Sequence, residues 1–259
     1  MNKKMKELRK QILKISANGK DGNLQSCFSS LEILWTLYDK FIPDKKKDCV
    51  GNEQNKFVLS KGQSNLALMT VLAEKGFIDK DELESFCQFD SRISMQADRT
   101  KFDDFVETSA GSLGHGFPIA VGMAWAKKIQ KQEGRVFCLA GDGEMNEGTM
   151  WETAIFAASE KLDNLVLIID DNNSIGRMID MGSLNEKLKA FGFDVMEVDG
   201  HNIAVLQECF AKKTDRPYAV IAKTVRGWGS KTLMEDRSWF HRYPRGQELE
   251  MLCGEVDAF

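Results

Sequence analysis

Asp142, set between Gly141 and Gly143, and Asn172, thirty residues further on in Ile169-Asp170-Asp171-Asn172-Asn173, are the residues whose types and spacing could do chemistry together. A carboxylate, an amide oxygen and a main-chain carbonyl near Ser174 are all hard oxygen donors. Magnesium takes such ligands near octahedral geometry and commonly shares its shell between protein and phosphate oxygens. The three donors would fill about half of that shell, leaving the rest to two phosphates and a water. Gly141 and Gly143 let the backbone turn sharply and approach an anion with no Cβ in the way. An ordinary turn after a strand also favours Gly-Asp-Gly, so it is the second ligand that lifts the pattern above a turn.

These residues meet only if the elements around them are parallel neighbours. Val136–Ala140 and Leu165–Ile169 are apolar runs of strand length, and Thr149–Ser159 between them has helical periodicity. A strand–helix–strand unit of this length makes a right-handed parallel crossover. Asp142 and Asn172 then leave adjacent strands at the carboxyl edge, where open α/β sheets bind ligands. The helix after Asp142 turns its amino end toward the diphosphate.

The same pattern continues along the chain. Helices are expected over Leu8–Ser16, Ser64–Glu74, Asp81–Phe89, Ile119–Gln130, Leu184–Phe191 and Ile203–Lys212, with strands at Phe57–Ser60, Asp194–Val198 and Tyr218–Lys223. Ser29-Ser30-Leu31-Glu32 has the form of a capping box opening a helix through Phe41. Gly111-Ser112-Leu113-Gly114-His115-Gly116 is a glycine-rich turn ahead of the 119–130 helix. Strands alternating with helices predict a three-layer α/β fold with a mainly parallel sheet.

Composition narrows the function classes. At 259 residues, with 42% hydrophobic and 29% charged residues, one globular domain spanning 1–259 is expected. No apolar run is long enough for a bilayer, and the basic start continues into Glu7-Leu8-Arg9-Lys10 instead of an export signal, so a cytoplasmic protein without a membrane role is expected. A net charge of −4 argues against nucleic acid as the main partner. Lys45-Lys46-Lys47 is expected in a solvated loop. The six cysteines lack CxxC or zinc spacing, and Cys27, Cys138 and Cys209 sit among apolar residues as core candidates. There are three histidines, His115, His201 and His241.

Gly141-Asp142-Gly143 with Asn172 resembles the thiamine diphosphate motif, and the stretch from Gly141 to Asn172 resembles its transketolase version. Further segments resemble that family in order, namely Ser29–Leu34, Phe57–Gly62, Thr108–Gly114, Ala190–Val195 with Asp199-Gly200-His201, and Ala222–Gly227. The resemblance runs from about Leu8 to Pro244. It implies the thiamine diphosphate-binding fold, with Asp142, Asn172 and Ser174 on magnesium. Gly111, Ser112, Leu113, Gly141, Asp142, Gly143, Glu144 and Asn172 would lie against the cofactor. Whole transketolases carry three domains, and only the first is matched. The expectation is therefore the amino-terminal chain of a split enzyme, paired with a carboxy-terminal chain in a heterotetramer with two copies of each. Glu147 matches a family glutamate at that interface, although a first-turn acid is also favoured by the helix dipole. An uncovered face near Glu147, Trp151 and Ile155 is the expected docking surface. His201 is expected to be a loop or packing residue, and His115 stands where the family has glutamine.

The chain departs from transketolases where they place histidines around the sugar. Asn23, Gln63 and Gln96 occupy three of those positions, and the fourth falls at Phe240 or His241 in Ser238-Trp239-Phe240-His241. Histidine can donate and accept a proton in one cycle, whereas an amide only hydrogen-bonds. Losing one general acid or base typically costs about 10² to 10⁴ in rate. Three readings follow. One is a transketolase-like transfer of a two-carbon unit between small carbonyl substrates of non-standard kind. Another is a carboligase or decarboxylase acting on a 2-oxo acid. The third, a non-catalytic cofactor-binding subunit, is disfavoured by the intact ligand set.

Overall fold

The computed structural model describes residues 1–42, 54–102, 105–174 and 180–259. The lysine cluster 45–47 and Cys49 lie outside the described residues. Among the described residues, five parallel strands form one sheet, in the order β1-β2-β3-β5-β4. They are β1 (Lys56–Leu59), β2 (Val136–Gly141), β3 (Leu165–Asp171), β4 (Asp194–Asp199) and β5 (Tyr218–Lys223). Every pairing is parallel, so all strand ends that carry chemistry emerge on one edge.

Side-chain alternation along these strands builds two cores. Phe57, Leu59, Phe137, Leu139, Val166, Ile168 and Val220 face one side. There they meet α1 (Lys3–Gly19), α2 (Leu24–Lys40) and α3 (Asn65–Glu74). Val58, Val136, Cys138, Ala140, Leu165, Leu167 and Ile221 face the other. They pack on α4 (Gly116–Ile129), α5 (Gly148–Ser159) and α6 (Leu184–Ala190). This is the expected three-layer α/β arrangement, with a period of two in each strand sorting residues between layers. α7 (Ile203–Ala211), the short α8 (Lys231–Glu235) and α9 (Glu248–Ala258) complete the helices. α7 and α9 share the first core through Leu206, Phe210, Leu252 and Val256. Cys27, Cys138 and Cys209 are buried, as their apolar surroundings predict.

Three local expectations need correction. The Ser29-Ser30-Leu31-Glu32 segment does not cap a helix, because α2 already begins at Leu24 with Asn23 as its N-cap residue. Ser29 and Ser30 lie one turn inside it, and both hydroxyls donate to Asp170. Glu32 instead pairs with Arg9. The helix expected over 81–89 is a 3₁₀ turn, Lys80–Ser85, broken where Cys87 and Asp90 adopt positive φ. α8 and α9 add two helices to those expected from the sequence.

Candidate cofactor site

Asp142 and Asn172 directly follow β2 and β3, whose last rungs pair Gly141 with Asp170. The crossover inferred from sequence therefore brings them to the same edge. A cavity of about 350 Å³ opens there, lined among others by Lys61, Gly141, Asp142, Asn172, Ser174 and Arg226. The donor set suits a hard cation. Asn172 Nδ2 donates to Ser29 Oγ at 3.1 Å, which turns Oδ1 the other way. That Oδ1 is buried with no hydrogen-bond partner among the described residues, and buried polar atoms ordinarily have one. Asp142 is 5% exposed and accepts from Ser174 N (2.7 Å) and Ser174 Oγ (2.5 Å). The carboxylate and the Ser174 loop are thus tied together before any ion arrives, with the Asn172 oxygen free to join them.

The loops flanking this set are pinned by Glu144. Its Oε1 accepts from Gly114 N at 2.9 Å and from Ser60 Oγ, and its Oε2 accepts from Gly141 N at 3.3 Å. Burial pushes the Glu144 carboxyl above its usual range, and these hydrogen bonds oppose the rise only in part. Gly114 sits at φ +79°, and a Cβ on it would lie 2.7 Å from Glu147 Cβ. Glycine is required there by conformation and by space. Glu144 is therefore a positioning residue for both glycine turns, and its own oxygens face the loops.

Beneath the site lies a buried charge that sequence patterns did not reveal. Asp170, fully buried, accepts from Lys61 Nζ, Ser29 Oγ (2.6 Å), Ser30 Oγ (2.9 Å) and Thr224 Oγ1. Burial alone would raise its carboxyl, but the Lys61 ammonium and these hydrogen bonds outweigh it and hold it below the usual range. The network joins α2, the end of β1, the end of β3 and the loop after β5. A second network fixes the loop carrying Arg226. His201 Nε2 accepts from Val225 N at 2.9 Å, its Nδ1 contacts Glu32 at 3.2 Å, and its ring stacks on Trp228. His201 is the packing histidine expected from sequence.

The residues standing at the family's histidine positions are distributed unevenly. Gln63 lines the cavity. Asn23 is buried, and its Oδ1 has no partner among the described residues. Gln96 is exposed and packs between two loops: a Cβ on Gly62 would lie 2.0 Å from its Oε1, and one on Gly111 of the glycine turn 3.5 Å from its Cδ. Of the two candidates at the fourth position, Phe240 lines the cavity. His241 is not among the lining residues and faces Asp21 at 3.6 Å. Among the glycine-turn residues, Leu113 borders the cavity, while Gly111 and Ser112 are exposed beside it. Glu147 is exposed at the start of α5 with no side-chain capping bond. Trp151 is tucked inward, with its Nε1 donating to Met145 O and its ring against Phe191. Sequence reasoning missed Gln25, Arg226 and Arg237 as site residues, since only the fold brings α2 and the segment after β5 to this edge.

Comparison with known proteins accords with this geometry. Residues 2–248 match the family model for transketolase, thiamine diphosphate binding domain. One of the named subunits of the apulose-4-phosphate transketolase of Actinobacillus succinogenes is 34% identical, across 99% of this chain and 95% of the relative. Its namesake from Phocaeicola vulgatus is 32% identical, across 96% and 90%. Human transketolase is 35% identical, but the match takes in 91% of this chain and only 38% of the relative. The transketolase structure from Campylobacter jejuni superposes with a TM-score of 0.87 at 25% identity, covering all of this chain and 43% of that one. This chain is a member of the transketolase family and corresponds to its thiamine diphosphate binding domain.

Proposed function

We propose that this chain is the cofactor-binding half of a two-chain transketolase that moves a two-carbon unit between sugar-type carbonyl compounds. The observation that carries the reading is the buried Oδ1 of Asn172, unpartnered among the described residues, beside Asp142 and Ser174. Asp142, Asn172 and the Ser174 carbonyl would hold magnesium, and the Gly111–Leu113 and Gly141–Gly143 turns would receive the diphosphate. Bound thiamine diphosphate supplies the nucleophilic carbon that such carbon–carbon chemistry needs. The chain's own residues orient it: Glu144 holds the two turns in place, while Gln63 and Asn23 offer amides to substrate hydroxyls. The two relatives matched over nearly their full lengths are both named for apulose 4-phosphate. That supports a phosphorylated sugar of non-standard kind as a substrate.

The outer side of the α4–α5 layer supports a partner. Ile119, Trp125, Ile129, Ile155 and Phe156 are between 39% and 61% exposed there, next to Leu113 and Glu147. A contiguous apolar surface rimmed by polar residues marks an interaction site. The partner would be a carboxy-terminal transketolase-like chain, with two copies of each in the complex. The test is reconstitution with such a chain. Thiamine-dependent two-carbon transfer is expected from the pair and none from either chain alone. Robust turnover by this chain alone, or none by the pair with any ketose phosphate, would overturn the reading.

Asn23 and Gln63 carry a second prediction. Asn23→His together with Gln63→His should raise transfer from ordinary pentose phosphates at least about tenfold, or about 1.4 kcal/mol of barrier. Steady-state rates of the assembled complex would measure it. Ordinary rates in the unmodified complex would mean that no retuning has occurred.

A further inference from the structure

Three oxidisable side chains meet at the edge of the sheet. β4 pairs only with β5, so its outer side is open among the described residues. Met196, the third residue of β4, is 42% exposed. Tyr218 OH can donate to its Sδ at 3.4 Å and Cys209 Sγ at 3.6 Å, and these two donors lie 2.9 Å from one another. Tyr218 opens β5, Cys209 stands on α7, and both are buried. Burial pushes the phenol and the thiol above their ordinary values, so each keeps its proton. One of them donates to the sulfur while the other donates to its neighbour, and in either arrangement a proton faces the thioether. Met196 shares the side of the sheet that carries Val198 and α7. It therefore lies away from the α4–α5 surface proposed for the partner.

A peroxide arriving from solvent can use this geometry. A lone pair of the thioether attacks the inner oxygen, the S–O bond forms and the O–O bond breaks. The proton of the inner oxygen passes to the departing hydroxide, which leaves as water. Sulfur is oxidised by two electrons and the peroxide is reduced. Negative charge gathers on the oxygen that stays, and a fixed hydroxyl donor stabilises such charge as it develops. The sulfoxide is a stronger acceptor than the thioether and can take protons from both Tyr218 and Cys209. Cys209 is itself 2% exposed, and a buried thiol that keeps its proton is inert. Met251 on α9 supplies the comparison, since it is 45% exposed and its sulfur meets no such donor among the described residues.

We propose that Met196 is a site of peroxide oxidation in this chain, and that Tyr218 and Cys209 are the donor pair that speeds its conversion and holds the sulfoxide. The proposal is independent of the transketolase reading. The full chain is treated with hydrogen peroxide, sampled over time, and the sulfoxide at each methionine is quantified by peptide mass spectrometry. Met196 should oxidise about threefold to tenfold faster than Met251, the increment of one hydrogen bond. Tyr218→Phe with Cys209→Ala should bring Met196 down to the rate of Met251 and leave Met251 unchanged, and Tyr218→Phe alone should lie between. Thermal melts before treatment check that the variants are folded. In urea the two wild-type rates should converge. Equal rates at Met196 and Met251 in the folded wild type would overturn the proposal without any variant, because exposure alone would then set the rate. A difference that persists in urea would assign the preference to local sequence and overturn it. Unchanged Met196 kinetics in the folded double variant would overturn it as well.

Discussion

Replacing Asp142 with alanine is expected to abolish magnesium-dependent thiamine diphosphate binding and leave the chain folded. Asp142 is the one carboxylate in the proposed ligand set, so its loss removes the formal charge that draws the cation in. Outer-shell partners of metal ligands typically contribute about 10- to 100-fold in affinity, and a carboxylate ligand should exceed that range. The fold should survive, because the groups left without an acceptor, Ser174 N and Oγ, are only partly buried and water can replace the carboxylate. Calorimetry with and without magnesium measures the affinity, and a thermal melt checks the fold. Wild-type affinity in the variant would place the metal elsewhere.

Lys61→Met should be the most destabilising single change near the site. Lys61 is 2% exposed and Asp170 is 0% exposed, so the variant leaves a carboxylate buried without its counter-charge. Breaking a buried pair this way costs about 3–5 kcal/mol, to be read from the urea midpoint. Adding Asp170→Asn should recover part of the loss, since the uncompensated charge is then gone. The pH dependence has a definite sign. Asp170 titrates below its unfolded value, so its stabilisation is complete above about pH 4 and is lost as pH falls through the lower, folded value. The variant should lose this acid-sensitive increment. Equal stability of Lys61→Met and wild type at neutral pH would refute the network's energetic role.

Most of the sheet and the metal-ligand pair are legible in the sequence because they are local signals. Val136–Ala140 and Leu165–Ile169 are apolar runs bounded by turn residues, and right-handed parallel crossovers then fix which edge Asp142 and Asn172 share. Ser29 and Ser30 mislead because a hydroxyl near a helix start looks the same whether it caps the backbone or serves a distant carboxylate. Only the position of Asp170, 141 residues from Ser29, tells the two apart. His241 and Phe240 are adjacent in sequence, and the positive φ of His241 is what separates their directions. Leu249, Leu252, Cys253 and Val256 in α9 do carry helical spacing, but the helix lies past the segments that resemble the family. Gln25 is invisible for a further reason. Its role is to join two segments about two hundred residues apart, and no window of sequence contains both.

The partners of Asp170 also set an order of events during synthesis. They come from residues 29, 30, 61 and 224, so the carboxylate stays incompletely satisfied until synthesis has passed residue 224. A nascent chain that has released β1, β2 and β3 already carries the proposed metal ligands, but it lacks β5, which flanks β3, and Thr224 beyond it. Premature capture of cofactor by a ribosome-bound fragment is thereby discouraged. On the proposed reading, loading would be a late step that follows the emergence of β5 and Thr224.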